Sequence, residues 1–270
     1  MFETIRLLCT AALDIISPST RIHYNGNFTT WNAAVAACKG DGYTNESILE
    51  KVRQAQHVVI RGEAAFERDS ALFKEPEYHW PLLALLFQIY VQQKSVSVLD
   101  FGGSLGSTYF QNRKWLDRIP NIRWCIVEQP HFVECGNREF STEHLRFYKT
   151  MEDCMANERI SIVLFASVLG YLQSPWEVIK YCINAKINYI MIDQTVMSDG
   201  IGKERLVVQS TPATIYRAKY PLRIFREKDF HDMFCSEYIC EASVPSFNVP
   251  VVLTNPWLSA QYKGFIWRKK

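Results

Sequence analysis

Apolar residues fall along this chain in two textures. Up to about residue 93 they recur at helical spacing. Trp31–Cys38 (WNAAVAAC) follows Thr29 and Thr30, which can cap a helix, and Asn45–Val59 (NESILEKVRQAQHVV) sets an Asn ahead of apolar positions three and four apart. Pro81–Gln92 is a third helix, more uniformly apolar. From Val96 onward short apolar runs alternate with helical stretches. Val96–Phe101 (VSVLDF), Arg123–Val127 (RWCIV), Leu145–Tyr148, Ile160–Ala166 (ISIVLFA) and Ile187–Ile192 (INYIMI) predict five strands. Helical segments are predicted over 107–117 and over Pro175–Ala185, with a helical turn following Glu128 to about Phe140. Two more strands, Glu237–Val244 and Gly264–Trp267, have no long helix between them and predict an antiparallel closing pair. Seven strands alternating with helices in this way predict an α/β fold with a mostly parallel, doubly wound sheet. Residues 1–93 read as a helical N-terminal extension or lid, and residues 94–270 as the sheet domain.

Composition narrows the classes of function. Hydrophobic residues are 48% of 270, enough for a sizeable core and incompatible with wholesale disorder. Lys and Arg total 30 against 28 Asp and Glu, a net charge of +2 with no block of one sign, so nucleic acid is not an expected partner. No apolar run reaches the ~18 residues of a membrane span. In Met1–Ile16, Glu3 comes early and Asp14 interrupts the apolar stretch, which predicts a docked amphipathic helix rather than a secretory signal or membrane anchor. The eight cysteines (Cys9, Cys38, Cys125, Cys135, Cys154, Cys182, Cys235 and Cys240) form no CxxC pair. They predict buried, reduced thiols in a cytoplasmic protein, with no metal site.

The stretch that carries chemistry is Val98–Gly106, VLDFGGSLG. An apolar strand runs into Asp100, then Gly102, Gly103, Ser104 and Gly106, then a helix. Glycines let a backbone turn sharply and approach a ligand closely, and the helix start offers free N–H groups. Many Rossmann-like nucleotide binders share this arrangement. Asp100 discriminates among them, because a carboxylate there repels a pyrophosphate and favours a cationic ligand. Glu128, closing the next strand, can accept both hydroxyls of a ribose.

These residues resemble the first motif of class I S-adenosylmethionine (SAM)-dependent methyltransferases, acidic-x-Gly-x-Gly-x-Gly, with Ser104 in place of the middle glycine. The resemblance is closer to a family of methyltransferases, largely uncharacterised, of bacterial surface-polysaccharide loci. Its features appear in order: the Trp31 helix, Gly42-Tyr43, Glu67-Arg68-Asp69, DFGGSLG from Asp100, Val127-Glu128-Gln129-Pro130, Ser167-Val168-Leu169 with Tyr171-Leu172, and Gly264-Phe265. Gly170 and Gln194 depart from it, where a polar residue and an Arg are common. The resemblance implies a Rossmann-like sheet with an antiparallel last strand, SAM as cofactor and S-adenosylhomocysteine (SAH) as product. It implies a small-molecule or glycan acceptor, association with glycan-assembly enzymes, and a cytoplasmic location or a peripheral one at the inner membrane.

The cofactor residues it implies are Asp100, Gly102, Gly103, Ser104, Gly106, Glu128, Gln129, Met151 and Ser167. Thr150 and Glu152 lie beside Met151, where adenine is often met. The loop after the fourth strand is not the Asn/Asp-Pro-Pro-Tyr motif of nitrogen methylation and supplies no strand-end acid for Mg²⁺, so the expected mechanism is metal-independent. Tyr171 lines the pocket or is a half-buried aromatic. Asp193, closing the fifth strand, is a general base, a sugar ligand or a turn cap. Arg68, Asp69, Tyr216 and Tyr220 are candidate acceptor contacts; Tyr216 and Tyr220 lie in a long insertion with Arg217 and Lys219, which reads equally as a solvated surface segment. His57, His79, His131, His144 and His231 have no sequence partner that raises them above structural roles. The implied activity is methylation of a sugar hydroxyl in a surface glycan or its precursor. The alternatives are a methyltransferase-like binding or scaffold protein without turnover and a nicotinamide-dependent oxidoreductase, which Asp100 and the glycine spacing disfavour.

Overall fold

Residues 22–38, 46–198, 204–212, 218–244, 246, 250–254 and 257–270 are described by a computed structural model of the chain. The Met1–Ile16 segment and Tyr216 lie outside them. The chain divides into two compact units, one made of Glu46–Ala166 with Asn184–Met191, the other of the described residues among 22–45, Ser167–Ile183 and Ile192–Lys270.

In the first unit, β4 (Val96–Phe101), β5 (Ile122–Val127), β6 (Leu145–Tyr148) and β7 (Ile162–Ala166) form a sheet in the order β6-β5-β4-β7, and the start of β8 (Tyr189–Ser198) lies next to β7. The pairs β4–β5, β4–β7 and β5–β6 are parallel. Between these strands run α4 (Ser107–Leu116), α5 (Pro130–Glu139) and α6 (Met151–Asn157). This is the Rossmann-like arrangement the alternating runs predict. Val98, Leu99, Trp124, Cys125, Ile126, Val163 and Phe165 are fully buried. Helices cover both faces of such a sheet, which is why its strands read as unbroken apolar runs. Each buried aliphatic side chain contributes ~1.5–3 kcal/mol.

The same unit opens with α2 (Glu46–Ile60), a hairpin of β2 (Phe66–Arg68) and β3 (Ala71–Phe73), and α3 (Trp80–Gln93). The hairpin turns on Asp69 and Ser70, both left-handed at φ +52° and +65°, as a two-residue hairpin requires. α3 begins with His79, whose Nδ1 accepts the Leu82 N–H at 3.2 Å, and has Pro81 in its first turn. His57 is likewise structural, 2.8 Å from Glu139.

The second unit is rich in strands. β1 (His23–Phe28) pairs antiparallel with β9 (Arg205–Thr211), and β9 with β10 (Ala218–Arg226). β10 meets the end of β8 in parallel at Phe225 and Arg226. β11 (Tyr238–Val244) and β12 (Pro250–Thr254) both run antiparallel to β13 (Trp257–Lys269), which also flanks β8. The expected closing pair is therefore β11 and β13. α1 (Trp31–Cys38) starts at Thr30, whose Oγ1 accepts the Ala33 N–H at 3.2 Å. A 3₁₀ turn (Leu169–Tyr171), α7 (Pro175–Asn184) and α8 (Glu227–Phe234) complete it.

The described residues contain thirteen strands where the sequence predicts seven. The additions are β1, β2, β3, β9, β10 and β12, so the stretch before residue 93 is not helical throughout, and the insertion after β8 is sheet. Five of the seven described cysteines are buried and all seven are free thiols. Among the described residues no helix is long and apolar enough to cross a membrane.

Candidate functional site

In the first unit the glycine-rich loop leaves β4 at its carboxyl end. Gly102, at φ +74°, donates its N–H to Val127 O at 2.9 Å. Gly106, at φ +99°, closes a turn onto Gly103 O at 3.0 Å and caps α4. Gly103 is needed for a different reason. A Cβ there would lie 2.6 Å from both Cγ and Oδ2 of Asp100, so the loop passes directly against the Asp100 carboxyl. Ser104 occupies the left-handed region at φ +55°, where a side chain is strained.

Asp100 is 1% exposed, and its Oδ2 accepts the Trp124 Nε1–H at 3.0 Å. Burial pushes its carboxyl up to about 7; the Trp124 bond opposes this and the nearby charge of Glu128 adds to it. Glu128 grips the loop from β5. Its Oε2 accepts the Gln129 N–H at 2.5 Å, and the Ser104 N–H also bonds to its carboxylate. Burial raises the Glu128 carboxyl, with those two bonds opposing. Asp100, Gly103, Ser104 and Glu128 thus form one contacting group. Gln129 caps α5 through its backbone, with its side chain making no cap bond. Met151 is buried at the first position of α6, beyond the end of β6, with Thr150 capping that helix through the Asp153 N–H at 3.1 Å. Half-buried His131 packs on Phe132 with the rings tilted at 60°.

Glu67, on β2, is 2% exposed. Its Oε1 accepts the hydroxyl of Ser107, the first residue of α4, and its Oε2 accepts the Ser70 N–H at 3.0 Å. The adjacent Arg68 donates to Glu77 at 2.9 Å and covers the stacked rings of Phe66 and Phe73. Asp69 is exposed at the hairpin turn. Of the Glu-Arg-Asp run, Glu67 is the residue that reaches the glycine-rich loop's helix.

The other residues singled out in the sequence lie in the second unit. Asp193 is 1% exposed, and its backbone carbonyl accepts N–H of Ser167 and Oγ1–H of Thr195, each at 3.1 Å. β8 does not stop there. It continues to Ser198 after a left-handed Gln194 at φ +48°, so Asp193 marks a kink within the strand rather than its end. A Cβ on Gly264 would lie 2.6 Å from Asp193 Oδ1, so β13 passes against this carboxyl. Ser167, too, is left-handed at φ +55°.

Tyr171 donates its hydroxyl to Gln209 Oε1 at 2.9 Å and meets Tyr220 edge to face at 6.2 Å. Tyr220 is buried on β10, not part of a solvated segment. A Cβ on Gly170 would lie 2.7 Å from Leu222 Cδ1 and 3.1 Å from Arg223 O, so a larger residue there has to displace the Leu222 side chain. Half-buried Tyr24 and Tyr262 pair through their hydroxyls at 2.9 Å. Gln209, Tyr24 and Tyr262 are polar groups that sequence reading missed. The one signal was a Gln set inside the apolar run of β9. Among the described residues no group of three or more His, Cys, Asp or Glu could hold a metal ion.

Chemically, the first unit offers a buried carboxyl against a glycine-rich turn and a second carboxyl at the end of the next strand.

No protein-family model and no curated protein matches the sequence. Solved structures do match. The N-terminal domain of EvdMO1 with SAH bound is 14% identical, over 80% of this chain and 97% of that one, with a TM-score of 0.46. A SAM-dependent methyltransferase from Clostridium acetobutylicum ATCC 824 is 9% identical over 81% and 98%, with a TM-score of 0.47. The mitomycin 7-O-methyltransferase MmcR is 14% identical over 82% of this chain and 67% of that one, at 0.43.

Proposed function

We propose that the protein is a SAM-dependent methyltransferase that methylates a hydroxyl, with a sugar of a surface glycan or its precursor as acceptor. The observation that carries the cofactor part is Asp100, buried against Gly103 with Glu128 gripping the same loop. Burial pushes the Asp100 carboxyl up to about 7, and a cationic partner would favour its ionised form. The acceptor part rests on the resemblance of the sequence motifs.

Asp100 would orient the amino end of SAM through the loop backbone, and Glu128 would take the ribose diol. Gly102 and Gly106 supply the turns of that loop and Gly103 its close approach. Gln129, Met151 and Ser167 are the further candidates for adenosine and methionine contacts. SAM supplies an electrophilic methyl on a sulfonium and leaves as the neutral thioether. The chain's own contribution is alignment and exclusion of water. Asp193 is the candidate to take the proton that the acceptor oxygen sheds, and Tyr171, held by Gln209, is the candidate to position that oxygen.

Calorimetric titration of the full chain with SAM, SAH and NAD, repeated on Asp100→Ala and Glu128→Ala, tests the reading. Saturable SAM and SAH binding that both variants lose is the expected result. Absence of SAM binding by folded protein overturns it. SAM binding without turnover on any sugar acceptor would favour the scaffold alternative.

A further inference from the structure

Across three strands of the second unit a row of polar side chains lies on one sheet face. The register of β1 and β9 sets Tyr24 opposite Gln209, and that of β9 and β10 sets Tyr220 opposite Gln209. Residues directly opposite in antiparallel strands share a face. Two more tyrosines close on the row from other elements. Tyr171, in the 3₁₀ turn, donates its hydroxyl to Gln209 Oε1 at 2.9 Å and meets the Tyr220 ring edge to face. Tyr262, on β13, shares a 2.9 Å hydroxyl–hydroxyl bond with Tyr24. Gln209 and Tyr220 are buried, whereas Tyr24, Tyr171 and Tyr262 are half-buried, so the row runs from the interior to the surface.

Apolar packing does not require this composition. Val207 and Leu222, on the same face, belong to an apolar cluster against which Tyr24, Tyr171 and Tyr262 pack. An amide buried at its border costs free energy unless it is hydrogen-bonded. Each of the five side chains both donates and accepts hydrogen bonds, and none is a cation. Alternation puts Lys219 and Arg223 on the opposite face of β10 from Tyr220, where Arg223 lies over Trp31 and pairs with Glu204. It likewise puts Lys263 on the opposite face of β13 from Tyr262, where it pairs with Glu227 at 2.6 Å. Arg205 shares the Gln209 face of β9 but stands four residues along it, roughly 13 Å away. Two residues beyond Tyr262, on the same face of β13, Gly264 leaves its side-chain place to the Asp193 carboxyl. The row therefore ends beside the candidate base.

We propose that Tyr24, Gln209 and Tyr262, with Tyr171 and Tyr220, form the acceptor subsite and select an uncharged, hydroxyl-rich ring over a phosphorylated one. The phenol and amide groups bond vicinal hydroxyls, and the aromatic faces cover the C–H faces of the ring. A phosphate placed here would lose its water without gaining a cation. The proposal deepens the methyltransferase reading and rests on it for the word acceptor.

The test is saturation-transfer NMR on the full chain with SAH present, alongside thermal melts and calorimetry of SAH itself. The probes are the methyl glycosides of glucose, galactose, mannose and rhamnose, the 6-phosphates of the three hexoses, and phenol. At least one neutral glycoside should bind, and more tightly than any phosphate or phenol. Tyr24→Phe and Tyr262→Phe keep the rings and should each weaken that glycoside about fivefold, with SAH affinity within about twofold of wild type. If either variant does not fold, Tyr171→Phe must give the same selective loss. Three results overturn the proposal: no neutral glycoside binds, a phosphate or phenol binds more tightly, or the Phe variants melt lower yet keep wild-type glycoside affinity. SAH binding without glycoside binding sinks the subsite and spares the cofactor reading. Glycoside binding without SAH binding sinks the cofactor reading and leaves the row as a sugar site.

Discussion

Replacing Asp100 by Asn should make the ligand-free protein more stable, and increasingly so as pH rises. Asn has nearly the same shape, fits against Gly103, and can still accept the Trp124 N–H. What it removes is the cost of ionising a buried carboxyl. That carboxyl is pushed from an ordinary 3.8 to about 7 in the folded protein. Between those values the folded state keeps a proton that the unfolded chain releases. Stability therefore falls as pH rises through this window, and the loss is complete above about 7. Linkage sets the full loss at about 4 kcal/mol, of which ~2 kcal/mol develops between about pH 5.5 and about pH 8. Urea unfolding of wild type and Asp100→Asn at those two pH values measures it, read as midpoints at unchanged slope. The variant should gain ~2 kcal/mol on wild type from the lower pH to the higher. A difference between the two proteins that does not change with pH would refute the reasoning, because it would mean that Asp100 ionises in the folded state as readily as in the unfolded chain.

Two further predictions concern backbone positions. Ser104→Gly relieves a left-handed serine at φ +55° but frees the unfolded chain, so we expect a net gain of ~0.5 kcal/mol and a melting temperature higher by ~1 °C. A lower melting temperature would show that the serine side chain contributes more than its strain costs. Gly264→Ala places a Cβ 2.6 Å from Asp193 Oδ1 and 2.9 Å from Ile192 O, and the backbone carbonyl cannot swing away as a flexible side chain could. It should cost ~2 kcal/mol in urea unfolding, and an unchanged midpoint would contradict the close packing of β13 on Asp193.

The parts of the molecule legible in the sequence are those whose causes are local. Val96–Phe101 is a strand over the predicted residues because burial on both faces demands an apolar run, and the glycines after it mark a loop whatever surrounds them. The adjacency of Asp100, the loop and Glu128 follows from neighbouring parallel strands. β1 (HYNGNF) shows no such run. It is a polar, glycine-containing strand that exists because β9 pairs with it. β2 and β3 are three residues each, and their turn is Asp-Ser rather than the Asn-Gly that announces a hairpin. β9 and β10 have strand-like residues, but lacking an intervening helix they look like an insertion until their pairing is known. The contacts of Glu67 with Ser107 and of Tyr171 with Gln209 join residues about forty positions apart, and no spacing rule reaches that far.

The contact between Gly103 and Asp100 also constrains how such a loop can diversify. A side chain at position 103 would push the Asp100 carboxyl out of its place, so a larger turn here comes at the expense of the bond that carboxyl accepts from Trp124.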